Sequence, residues 1–155
     1  MNELYAILLS WAVTLSGYPM PDQPAEVQTV SHAYLVEHAC NGRECKVLGW
    51  FPPGRTIYVD NRLNPADSLL AASIVVHEMV HHLQHEAGRI DPAKWSCENA
   101  IALEREAYAI QREFLLRYGV YQPVGLSMHR VGCELTRRED SDPGSTPAAM
   151  AFDVP

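Results

Sequence analysis

The stretch from Pro65 to Ala87 most constrains what this chain can fold into, because it reads as a long buried helix that nevertheless carries His77-Glu78-Met79-Val80-His81. From Ala66 to Val80 nearly every residue is small or apolar, and a helix apolar all round packs inside a protein. Asn64 is placed to cap it, Pro65 suits its first position, Asp67 falls in its first turn and Gly88 ends it. Two histidines four apart lie one above the other on a helix face. Their imidazoles can therefore hold one metal ion, while Glu78, about 100° round, reaches a water on that metal. Without such a partner, burying this trio would cost several kcal/mol in desolvation.

His82 and His85 fall in the polar last turn and read as solvated, or as supports for the ligands. A third ligand spaced as in the metzincins would need glycine and histidine three and six residues after His81, but Gln84 and Ala87 stand there. It has to come from elsewhere, and the next long helix, expected from Ser96 to Tyr118 and ended by Gly119, offers four glutamates. At 100° per residue, Cys97, Ala100, Ile101, Ala107, Tyr108, Gln111, Leu115 and Tyr118 share a face with Glu104. Glu98, Glu106 and Glu113 fall on the other side with Arg105, Arg112 and Arg117. Glu104 is thus the lone acid on an apolar stripe, where an unpaired charge is costly. It is the expected third ligand, with Glu106 as the alternative.

His77-Glu78-Met79-Val80-His81 followed by Leu103-Glu104-Arg105-Glu106-Ala107-Tyr108 resembles the gluzincin zinc metallopeptidases, closest to a little-characterised group of small bacterial members with a Glu-x-x-Ala signature. The resemblance spans roughly residues 55 to 118. It implies an α+β, zincin-like minimal domain, one Zn²⁺ per chain on His77, His81 and Glu104, and Glu78 as the catalytic base. It also implies a peptide or protein substrate, aligned on an exposed sheet edge. Ala107 matches the small residue of the signature. Tyr108 departs from larger gluzincins, which often carry an aspartate there to orient a zinc histidine, so its hydroxyl is the candidate for that supporting role.

The rest of the chain fits around these helices. Leu4 to Ser16 reads as an amphipathic helix rather than a signal peptide, because Glu3 flanks it and Leu4, Ile7, Leu8, Trp11 and Leu15 form a stripe. Any export signal would then lie outside this chain. Val27 to Glu37, Lys46 to Phe51 and Arg55 to Asp60 are expected as three strands of a small antiparallel sheet, with Trp50, Ile57, Tyr58 and Val59 packing it against the metal helix. Residues 1 to 135 form a single domain on this view, and 136 to 155 a loosely held tail.

Cys40 and Cys45 flank an Asn-Gly turn and are expected to pair, leaving Cys97 for Cys133; bonds of this kind belong to an extracytoplasmic setting, periplasmic or secreted. The alternative of zinc on cysteine lacks the usual two-residue spacing. A net charge of −7 argues against nucleic acid as the partner, and no apolar run is long enough to span a membrane. Tyr118, Tyr121 and His129 are candidates to stabilise an oxyanion, against packing or exposure for each. Rival expectations are a zinc-stabilised domain that only binds partners and hydrolysis of a non-peptide amide. Oligomeric state is not legible.

Overall fold

The structure, a computed structural model, describes residues 2–133; the expected tail at 136–155 and the domain boundary at 135 lie outside them. Helix α1 spans Glu3–Ser16, with the Asn2 side chain accepting the Leu4 N–H at its start and Gly17, at φ 76°, closing it. Its inner face is Leu8, Leu9 and Ala12, while Ile7 is 49% exposed. The expected stripe is therefore rotated, because Leu9 and Ala12 rather than Ile7 meet the neighbouring helices.

Strand β1 (Glu26–Val30) is followed by helix α2 (His32–Ala39), then β2 (Gly49–Trp50) and β3 (Thr56–Asp60). The expected strand from Val27 to Glu37 is thus half strand and half helix. Ser31 accepts the Tyr34 N–H and starts a helix, and Leu35 and Ala39, four apart, bury its inner face. β-Branched composition concealed that cap. The sheet runs β1-β3-β2, with β1 parallel to β3 and β2 antiparallel to it. It is mixed rather than antiparallel, since α2 and β2 carry the chain back before β3 begins. Ile57 and Val59 belong to the main core, whereas Tyr58 and Trp50 pack on the opposite face with Tyr34 and His38 of α2, as strand alternation requires.

Helix α3 (Leu69–Glu86) is buried without a break from Ala71 to Gln84. It begins four residues later than expected: Ser68 accepts the Ala71 N–H, and Asn64 instead caps the short turn before it by accepting the Ala66 N–H. Helix α4 (Cys97–Arg117) is capped by Ser96 and followed by Gly119 at φ 76°. Its buried face carries Glu104 among Ala100, Ile101, Ala107, Tyr108 and Leu115, as the phase of the sequence expects, but Tyr118 is half exposed. α3 packs against α1, α4 and the sheet, so the histidine helix is the centre of an α+β fold.

The disulfides are Cys40–Cys45 and Cys97–Cys133. The first closes over Asn41 and Gly42, both at positive φ. The second ties the end of the described chain, with its 3-10 turn Leu126–Arg130, to the start of α4. Two such bonds are consistent with an extracytoplasmic location, and no helix among the described residues is long and apolar enough to cross a membrane.

Candidate metal centre

Helical spacing sets the first two donors. On α3, His77 and His81 bring their Nε2 atoms to 3.1 Å of each other. From α4, Glu104 reaches between them, with Oε2 3.3 Å from His77 Nε2 and Oε1 3.1 Å from His81 Nε2. A tetrahedral zinc with bonds of about 2.0–2.2 Å would hold such donors about 3.3 Å apart, so the triangle has the right size. The donor set is two imidazoles and a carboxylate, all buried, and this group could hold a metal ion. Ala107, one turn beyond Glu104, is fully buried; a larger side chain there would crowd the core around the helix.

The electrostatics follow from that proximity. Burial pushes the His81 imidazolium down, but Glu104, Glu78 and the Gln84 hydrogen bond outweigh it and raise its pKa to about 9. Burial likewise pushes the Glu104 carboxyl up, yet His81 and His77 draw it down to about 2. In the metal-free protein the carboxylate is thus matched by a proton on His81. A metal ion bound there would replace that proton.

Glu78 points at the sheet side of the centre. A Cβ placed on Gly49 would come within 2.7 Å of Glu78 Oε1, so only glycine lets β2 approach this carboxylate so closely. The Phe51 backbone N–H also bonds it, but burial dominates and raises its pKa, with Glu104 adding to the rise and His77 and His81 opposing it. A carboxylate raised in this way holds a proton more readily than an exposed one, which suits it to accept and return one.

The two ligand histidines are held differently. His81 Nδ1 is 2.8 Å from Gln84 Oε1. His77 Nδ1 has no hydrogen-bond partner among the described residues; its ring packs against the Tyr108 ring at 4.4 Å between centroids. Tyr108, the expected support of a ligand histidine, packs its ring on His77, and Gln84 accepts the hydrogen bond of His81.

Other expected residues lie elsewhere. His82, expected in solvent or as a support for the ligands, is fully buried and packs edge-on with the Phe51 ring, and burial lowers its pKa. His85 is half-buried against the same ring. Glu106, the alternative third ligand, instead binds Gln84, Tyr18 and Arg89. Tyr118 accepts from the Trp11 indole N–H, about 21 Å along α4 from Glu104. Tyr121 is 80% exposed and His129 is exposed.

Gly49 and Gln84 were not singled out by sequence reasoning as part of the centre. Gln84 had a usable signal, since three residues after His81 it shares a helix face with that ligand; Gly49 had none, because its partner lies across the fold. Comparison with known protein families, with curated proteins and with solved structures finds no match for this chain.

Proposed function

We propose that this protein is a zinc-dependent hydrolase that cleaves peptide bonds, a minimal zincin-like domain with a gluzincin type of donor set. The observation that carries this function is the convergence of His77, His81 and Glu104 on one point while Glu78 stands beside them. Catalytic zinc sites use three protein ligands and structural sites close with four. Among the described residues the group that could hold a metal numbers three, which favours turnover over a purely structural staple.

When bound, zinc supplies Lewis acidity that brings water toward a pKa of about 7 and polarises a carbonyl. His77 and His81 contribute neutral Nε2 atoms, and Glu104 contributes the charge that compensates the metal in a dry site. Glu78, kept in place by the Phe51 N–H and the closeness of Gly49, takes a proton from the attacking water and delivers it to the leaving amide nitrogen. The substrate is a peptide or protein met outside the cytoplasm, in keeping with the two disulfides.

Purified protein should carry one zinc per chain, and Glu78→Gln should keep the metal and the fold while losing about 10²- to 10⁴-fold in turnover. The assay is cleavage of a broad peptide library, with chelated protein as control. A folded, zinc-loaded protein that cuts nothing in that library would leave a zinc-stabilised binding domain in place of the enzyme.

A further inference from the structure

We infer that Gln84 is a positioning residue that fixes the tautomer of His81, as the inner member of a relay running from the metal centre through Glu106 to Tyr18 and Arg89. The inference rests on the metal-binding half of the proposed function. It does not depend on which bond is cleaved.

Gln84 is fully buried, and both ends of its amide are committed. Its Nε2 donates to the Leu103 carbonyl at 3.0 Å and to Glu106 Oε2 at 2.8 Å. A backbone carbonyl and an ionised carboxylate only accept. The end of the amide facing them must therefore be the nitrogen, and the end facing His81 must be the oxygen. An amide oxygen only accepts, so His81 Nδ1 carries the proton across the 2.8 Å contact. With Nδ1 protonated, the neutral ring presents a bare Nε2 lone pair to the point shared with His77 and Glu104. Metal coordination requires that tautomer.

Glu106 does more than fill the outer end. Its carboxylate accepts from Gln84, from the Tyr18 hydroxyl at 3.0 Å and from Arg89 at 3.1 Å, while Arg89 also donates to the Tyr18 hydroxyl. These contacts draw together α3, α4 and the segments after α1 and α3. The negative charge polarises the amide toward a stronger acceptor oxygen, which makes His81 a better metal donor. Glu104 and Glu106, two residues apart on one helix, thus serve the same histidine from its two nitrogens.

The test uses the full chain. Zinc affinity is measured by competition with a chromophoric chelator, and ¹⁵N–¹H spectra of the zinc-loaded protein read the His81 ring. In the parent, His81 should show a protonated Nδ1 whose hydrogen exchanges slowly. Gln84→Met keeps the size and removes the acceptor, and it should weaken zinc binding about 10- to 100-fold. Glu106→Gln should weaken it less. The exchange Gln84→Glu with Glu106→Gln restores an acceptor to Nδ1 and a donor between the two positions, and should recover part of the loss. Gln84→Met with Glu106→Gln should not.

Melting of each metal-free variant separates a folding defect from a metal-binding one. A parent spectrum with the His81 proton on Nε2, or a folded Gln84→Met variant binding zinc as tightly as the parent, overturns the relay. The parent spectrum decides the tautomer even if every variant fails to fold. A parent that binds no zinc removes the proposed function together with the relay, whereas zinc binding with no cleavage of any peptide leaves the relay standing.

Discussion

His77 and His81 leave the same helix one turn apart, yet the protein supports them by opposite means. His81 is fixed by the directional hydrogen bond that its Nδ1–H donates to Gln84, which selects a tautomer. His77 is fixed by shape: its imidazole lies against Tyr108, and Tyr108 is in turn pressed by Gly125, where an added Cβ would fall 2.0 Å from Tyr108 Cγ. One support is polar and within a turn of its ligand, and the other is aromatic and depends on a strap of chain that returns after α4. A hydrogen bond defines a proton position, whereas packing defines only a ring position. The two ligands should therefore fail differently.

The largest effect should come from removing what both share. Glu104→Ala leaves a protonated imidazole buried without its counter-charge, and should cost about 3 to 5 kcal/mol of metal-free stability as well as zinc binding. Chemical denaturation with chelator present reads the first, and metal content the second. A Glu106→Ala variant that loses more zinc than Glu104→Ala would reverse the assignment of ligand and relay.

Titrating the same pair is gentler, because the partner stays in place. His81 has a pKa raised from 6.5 to about 9, so its contribution is complete below 6.5 and is lost as pH rises through about 9. Glu104 is lowered from 4.5 to about 2, so its contribution is complete above 4.5 and is lost as pH falls toward about 2. The metal-free protein should gain most from the pair between these limits and soften toward pH 9. If zinc is the ion, it should reverse the alkaline limb, because binding needs the deprotonated ring, and its uptake near pH 7 should release a proton measurable in a weakly buffered titration. Alkaline stability that stays flat in chelator would break the pairing of His81 with Glu104.

The aromatic support has its own weak point. At φ 69° and with no room for a Cβ, Gly125→Ala should cost about 1 to 3 kcal/mol in overpacking and about 1 kcal/mol more in backbone strain. It should broaden the His77 ring signals while leaving the His81 Nδ1 hydrogen in place. Equal disturbance of both rings would show that the supports are not separate. The smallest effect should come from Arg105, which ties the strap down by donating to the Met128 and Val131 carbonyls. Arg105→Ala should cost about 1 kcal/mol by thermal melting, with zinc affinity almost unchanged.

The parts of the fold and of the centre that are legible in the sequence share a cause. His77 and His81 are related by one helical turn, Glu104 by its phase on an apolar face, and Cys40 and Cys45 by a turn between them, all of which are short-range rules. The structure departs from the sequence pattern where a local signal points two ways. Val30 to Val36 has strand composition but a serine cap within it, and His82 sits in a polar run that the surrounding chain nonetheless covers.

The sequence alone determined a buried helix bearing a histidine pair, a second helix with one acid on its inner face, and four cysteines able to close two loops, because periodicity and turn chemistry act over a few residues. Only the tertiary structure decided that β1 runs parallel to β3, that Gly49 makes room for Glu78, and that Gly125 bears on the ring beside His77. It also decided that Glu106 is drawn away from His77 and His81 toward Tyr18 and Arg89. Each of these joins segments far apart in the chain. Their partners are chosen by which surfaces the folded core brings within a few ångströms, and no local rule carries that information.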